Sequence, residues 1–245
     1  MIKVEVCVES LESVLTAQRA GAHRVELNSG IGLGGLTPTL NLLKQVRVKT
    51  QLPIICMVRP RAGDFCYTEH ELELMLVEAK VLMECGADGL AIGVLDAQRR
   101  VSQDAVAKFK DICGDGELVF HRAFDCVVDL WQAASDLIKL GVDRILTSGG
   151  QNTAMAGKAQ LADLQSEFGH QIEILPGSGI RSSNVAELVE STGCQQVHGT
   201  FATTVETGSL PSDINFNEPL GLASNQKKET NLEELNSVLS VLQSR

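Results

Sequence analysis

Apolar residues in this chain fall into short continuous runs and longer periodic ones, and the two kinds alternate from end to end. Four copies of one pattern mark the alternation, AGAHRVEL (20–27), CGADGLAI (85–92), LGVDRILT (140–147) and TGCQQVHG (192–199): a helical run ends in glycine, and an apolar strand follows. Glycine just past a helix end adopts the left-handed conformation without steric cost, and a buried parallel strand reads as a leucine and β-branched run. Gly21, Gly86, Gly141 and Gly193 therefore each predict a helix-to-strand corner, and they recur at about twice the length of one βα unit. Less regular corners fall between them at Leu52-Pro53, Asp115-Gly116 and Gly169-His170. Eight strands are predicted, at 4–8, 24–27, 54–58, 89–94, 118–121, 144–147, 172–175 and 196–198. Amphipathic runs separate them, as where Leu72, Leu76, Ala79 and Met83 recur at helical spacing. A last helix is predicted at about 231–243, with Leu232, Leu235, Leu239 and Leu242 on one stripe and a capping box from Thr230 to Glu233.

Strict βα alternation over 245 residues, with right-handed crossovers, favours an α/β fold of the closed (β/α)8 TIM barrel kind over an open doubly wound sheet. With 44% hydrophobic residues and no low-complexity linker, residues 1–245 read as a single domain. Only about 208–230 looks irregular, and it is expected to cover one rim as a long loop.

Charge narrows the partners. A net charge of −10 and pI near 5 argue against nucleic acid and anionic membrane. No apolar run reaches the length of a membrane span, and the first strand begins too early to leave room for a signal peptide, so a cytoplasmic protein is expected. Seven cysteines without a framework fit reduced thiols there. The chain sets no subunit number and is compatible with a homo-oligomer.

Parallel barrels place chemistry where strands end and βα loops begin. The polar residues at those ends are Glu26 and Asn28, then Arg59, Arg61 and Asp64, then Asp96, then His121, Arg122 and Asp125, then Ser148, the turn Gly177-Ser178-Gly179, and His198; Glu5 and Cys7 share one face of the first strand. Any one of these can be an internal ion pair. The whole cluster exceeds what packing selects, because buried pairs seldom improve on apolar side chains.

Two chemistries compete for that mouth. The arginines suit bidentate capture of carboxylate or phosphate, His121 is the natural proton carrier, Asp64 or Asp125 orients it or acts as base, and Glu26 holds a second charge position opposite. Gly177, Ser178 and Gly179, with a helix expected from 182 or 183, sit where barrels commonly hold phosphate, and His198 lines the other side. This constellation describes an enzyme acting by acid/base chemistry on a small phosphorylated or carboxylated metabolite.

The segments VRPRAGDFCY (58–67) and FHRAFD (120–125), with RVELN (24–28), GGLTP (34–38), IGVLD (92–96) and LTSGG (146–150), resemble the copper homeostasis protein CutC family. The likeness runs from Val4 to about His198. It implies a cytosolic (β/α)8 barrel that binds copper(I) and takes part in copper homeostasis. Copper(I) is soft and prefers thiolates. The chain has no CxxC, CxC or MxxM pair, so a site must be assembled in space from Cys66 and Cys126 in the mouth loops and from Cys7, with His121 as a nitrogen ligand beside Cys66. Cys56, Cys85, Cys113 and Cys194 are expected to pack as small hydrophobes.

Overall fold

The computed structural model describes residues 1–243. Its eight parallel strands are β1 (Lys3–Val8), β2 (Arg24–Leu27), β3 (Ile54–Met57), β4 (Gly89–Ile92), β5 (Glu117–Phe120), β6 (Arg144–Thr147), β7 (Glu173–Pro176) and β8 (Gln196–Gly199). Paired in the order β7-β6-β5-β4-β3-β2-β1-β8, they curl until a parallel bridge from Gly177 to His198 closes the barrel. The linking helices are α1 (Leu11–Ala20), α2 (Leu40–Lys49), α3 (Glu69–Glu84), α4 (Gln103–Cys113), α5 (Leu130–Lys139), α6 (Lys158–Phe168) and α7 (Val185–Thr192). This is the (β/α)8 TIM barrel anticipated from the alternation. The four corner glycines all take positive φ, between 69° and 98°, the conformation in which L side chains are strained. Ser10 and Thr68 cap the starts of α1 and α3, the latter in a reciprocal box with Glu71.

Outward side chains such as Val4, Val6 and Val8 pack under the helices in one continuous core. Inward side chains divide the lumen. Ile55, Met57, Ala91, Val119, Leu146 and Leu175, from β3 to β7, form a separate apolar cluster, whereas β1, β2 and β8 send in Glu5, Cys7, Glu26 and His198. The N-terminal end is plugged by Arg144, paired with Glu117 at 2.9 Å and Glu173 at 2.6 Å, and by Arg24, which donates to Glu5 and to Gln196.

The segment expected as a rim loop differs from that expectation. Strand β9 (Ala202–Glu206) pairs antiparallel with β10 (Gln226–Thr230), so only the connection between them is irregular, with one turn of 3-10 helix at Glu218–Leu220. The sequence of β10, QKKET, carries no apolar alternation: Lys227 and Lys228 are exposed, Gln226 and Glu229 are half-buried, and only the polar Thr230 is buried. Its connection lies over the β2–α2 loop, where the Leu220 side chain packs on Gly32. Helix α8 (Leu232–Gln243) packs beside α1 and α7. Its cap is Asn231, which accepts from the Glu234 N–H at 2.8 Å, not the Thr230/Glu233 box, since Thr230 belongs to β10.

Candidate functional site

A cavity of about 490 Å³ opens at the C-terminal ends of the strands. Its polar wall is built on β1, β2 and β8, where the register sets Glu5 beside His198 and Cys7 beside Glu26. Glu5 Oε1 accepts from His198 Nδ1 at 2.7 Å and Oε2 accepts from Arg24. Burial alone would raise the Glu5 pKa, but Arg24 and His198 hold it well below the usual carboxylate range. His198 Nδ1 is thereby committed to Glu5, and Nε2 is turned toward Glu26 Oε2 at 3.9 Å. Burial opposes the imidazolium, yet Glu26 and Glu5 together raise the His198 pKa. For Glu26 burial wins and raises its pKa, and burial pushes the neighbouring Cys7 thiol well up, assisted by Glu26 itself. Asn28 Nδ2 ties the wall together, donating to Glu26 Oε2 at 2.8 Å and to Cys7 Sγ at 3.3 Å.

Cys7, Glu26 and His198 are all buried, and one ligand atom from each lies within 4.8 Å of the other two. An anionic partner on the far ring nitrogen is how proteins fix a metal-binding histidine, because it sets the tautomer and raises the basicity of the ligating nitrogen. The thiol and imidazole suit copper or zinc, while the carboxylate is a harder donor. The residues fit a soft cation held mainly by sulfur and nitrogen.

The facing wall is made of His121 and Arg59, both packed on Phe65: the His121 ring centroid lies 5.1 Å from that of Phe65, and the Arg59 guanidinium lies 5.0 Å from it. His121 Nδ1 accepts from the Ala123 N–H at 3.1 Å, which leaves the ring proton on Nε2. Burial, then Arg59, pushes the His121 pKa down to about 3, so the ring is a neutral N–H donor. Its close seat exists because residue 93 is glycine; a Cβ there would meet His121 Cε1 at 2.3 Å. Arg59 donates from Nη1 to Leu33 O and Gly35 O and from Nη2 to Gly63 O, at 2.9–3.1 Å, pinning two mouth loops.

Arg122 and Asp125 line the same cavity but are tied elsewhere. Asp125 accepts from Arg122 Nε, Thr147 Oγ1, Ser148 N and Oγ, and Gly150 N, joining the turn after β5 to the end of β6. It is a structural knot with both oxygens occupied. Asp125 therefore does not orient His121, whose Nδ1 is held by backbone instead.

Arg61 and Asp64 lie outside the cavity. Arg61 donates to Glu71 at 2.5 Å and to Asp64 at 3.1 Å and stacks on Tyr67. Cys66 is exposed and is not among the lining residues, so it is not brought to His121; Cys126 is exposed at the rim, and Cys7 is buried within. As expected, Cys56, Cys113 and Cys194 are buried among apolar neighbours, and Cys85 is half-buried against the core. Ser178 and Gly179 line the cavity, with Ser178 held at φ 80°, while Gly177 packs against Leu146 behind. Helix α7 starts at Val185, later than expected, because Asn184 accepts from Arg181 N and donates to Gly179 O in an intervening turn. The turn and the helix start are thus separate features.

Sequence reasoning placed Glu5 on the same strand face as Cys7 but gave it no role. Its position below His198 depends on the pairing of the first and last strands, which no local pattern announces. Arg181 at the rim was missed altogether; one arginine after a serine turn has no distinguishing signal.

A parallel (β/α)8 barrel with a buried thiol, imidazole and carboxylate at its C-terminal mouth defines a class of barrel proteins able to hold a metal ion or small polar ligand. The CutC family model matches residues 2–203, and the chain belongs to the CutC family. It is 42% identical over 197 residues to a CutC family protein of Treponema denticola, covering 80% of each chain. It is 37% identical over 205 residues to the human copper homeostasis protein cutC homolog, covering 84% of this chain and 75% of the relative. The crystal structure of a copper homeostasis protein CutC from Streptococcus agalactiae superposes with a TM-score of 0.77 at 29% identity, covering 82% of this chain and 99% of the other. Phosphoribosylanthranilate isomerase from Thermotoga maritima, at 10% identity and TM-score 0.59, shares the fold alone. The end of β9, the whole hairpin connection, β10 and α8 follow the matched region. Among the described residues, no helix is long and apolar enough to cross a membrane.

Proposed function

We propose that this chain acts in copper homeostasis in the cytoplasm and binds copper(I) as its cargo at Cys7 and His198. The carrying observation is the buried Cys7–Glu26–His198 cluster, with Glu5 behind His198 Nδ1. Copper(I) selects thiolate and imidazole over oxygen donors. Cys7 would supply sulfur and His198 would supply Nε2; on binding, Glu26, beside both, accepts the thiol proton, and the Nε2 proton of the imidazolium form leaves to solvent. Seven free cysteines support a reducing compartment. The names of the human and streptococcal relatives support the copper reading.

The test is competition of the reduced protein against a copper(I) chelator. Cys7→Ser is expected to weaken binding by about 100-fold, through the loss of one soft ligand from a site with only two. Cys66→Ser and Cys126→Ser, which alter exposed thiols, are expected to leave it unchanged. Full affinity in Cys7→Ser sinks this assignment.

Acid/base chemistry on a small anionic metabolite is a narrower second reading. Of its residues, Arg61 and Asp64 are outside the cavity and Asp125 is saturated, so it rests on Glu26, His121, Arg59 and His198.

A further inference from the structure

Five buried side-chain polar atoms have no hydrogen-bond partner among the described residues: Tyr67 Oη, outside the cavity, and four at the mouth, Glu26 Oε1, Asn28 Oδ1, Arg59 Nε and His121 Nε2. All four residues line the one cavity. Their side chains are closed to bulk water, with residue exposures of 2% for Glu26, 0% for Asn28, 5% for Arg59 and 3% for His121. An unpaired buried donor or acceptor costs roughly 1–3 kcal/mol. Native interiors seldom tolerate one, and four such atoms on residues that line one cavity point to partners supplied from that cavity.

The atoms divide by role and by wall. Arg59 Nε and His121 Nε2 are donors, and both side chains rest on Phe65. Glu26 Oε1 and Asn28 Oδ1 are acceptors on neighbouring positions of β2 and its end. Arg59 also carries a full charge, yet its three hydrogen bonds go to carbonyl oxygens, and among the described residues it makes no ion pair with a carboxylate. A buried guanidinium satisfied only by dipoles retains a preference for an anion. The neighbouring imidazole cannot compete for that anion's charge, because its Nδ1 is occupied by the Ala123 N–H and its pKa is about 3, so it adds a neutral donor.

We propose that the cavity is the binding site of a small hydroxylated organic anion, a hydroxycarboxylate or a polyol phosphate. Its anionic oxygens accept from Arg59 Nε–H and His121 Nε2–H, and its hydroxyl donates to Glu26 Oε1 across the cavity. The volume of about 490 Å³ accommodates such a molecule. Copper binding at Cys7 and His198 draws on other ligand atoms of the same cavity and shares Glu26 with this site, so the anion is tested in the absence of metal.

The experiment uses the metal-free full chain. Histidine side chains labelled with nitrogen-15 are followed by nuclear magnetic resonance, and the Nε2–H resonance of His121 is identified by its loss in His121→Gln, since His23 also accepts a backbone N–H on Nδ1. Glycerate, glycerol 3-phosphate and propionate are titrated in turn. The Nε2–H resonance of His121 is expected to move with at least one of the first two, and whichever moves it identifies the head group. Propionate, which lacks a hydroxyl, is expected to bind about tenfold more weakly than glycerate, the worth of one charge-assisted hydrogen bond. Arg59→Met, on a residue that takes no part in the copper site, is expected to weaken the response while leaving copper(I) binding unchanged. A His121 resonance unmoved by all three ligands at millimolar concentration overturns the proposal, whatever the copper result. Equal affinity for propionate and glycerate overturns the role of Glu26 as hydroxyl acceptor.

Discussion

Asp125 and Glu26 are carboxylates at the same mouth with opposite surroundings. Asp125 accepts from an arginine, two hydroxyls and two backbone N–H groups, and both of its oxygens are used. Glu26 lines the cavity and accepts from Asn28 on Oε2, while Oε1 is buried without a hydrogen-bond partner among the described residues. The first holds two loops in register, and the second keeps bonding capacity for something that is not protein. Residue type and position along the strand ends do not separate them. What separates them is how many donors the neighbouring loops direct at each.

The largest effect that tests this contrast is on Asp125. Asp125→Ala leaves Arg122, Thr147, Ser148 and Gly150 without their shared acceptor, so urea unfolding is expected to show a loss of about 3–5 kcal/mol. A loss below about 1 kcal/mol would mean the knot is not structural.

Next in size is the acid limb of the stability curve. The native pKa of His121 is about 3 against roughly 6.5 in the unfolded chain. The native state therefore binds fewer protons across that window, and the stabilisation present above pH 6.5 is lost as pH falls toward 3, at up to about 1.4 kcal/mol per pH unit. His198 acts in the opposite sense, since its native pKa is raised, so its contribution is present below about pH 6.5 and lost as pH rises through the native value. His121→Leu is expected to flatten the acid limb, as read by denaturation midpoints over pH, and an unchanged slope would refute the buried neutral ring.

Glu26→Gln should do the reverse of the Asp125 change. Its charge is disfavoured by burial and by Glu5, so the neutral amide is expected to raise stability by about 1 kcal/mol, while glycerate binding weakens. A destabilisation comparable to that of Asp125→Ala would make Glu26 a structural group as well. The smallest effect is expected for Cys66→Ser, within about 0.5 kcal/mol of the parent, as for surface substitutions generally.

The eight strands, the corner glycines and the closed barrel were legible because they rest on local rules: glycine at helix ends, continuous apolar runs in buried parallel strands, and one spacing repeated along the chain. The mouth residues Glu26, Arg59, His121, Arg122, Asp125 and His198 were legible as a group, since strand ends can be located once strands are. Strand β10 was not, because Gln226–Thr230 is held by pairing with β9 and buries only the polar Thr230, so it carries no apolar alternation. Nor could sequence distinguish Cys7 from Cys66: both lie near the mouth end, but only Cys7 points into the lumen, beside Glu26 across the β1–β2 pairing and near His198 of β8.

By itself, then, the sequence determined the architecture and which residues gather at the mouth, because periodicity and glycine conformation act over a few residues. Tertiary structure alone decided which of those residues are already satisfied. That depends on hydrogen bonds between strands far apart in the chain, as when Glu5 in the first strand fixes His198 in the last, and on burial, which only the closed barrel supplies.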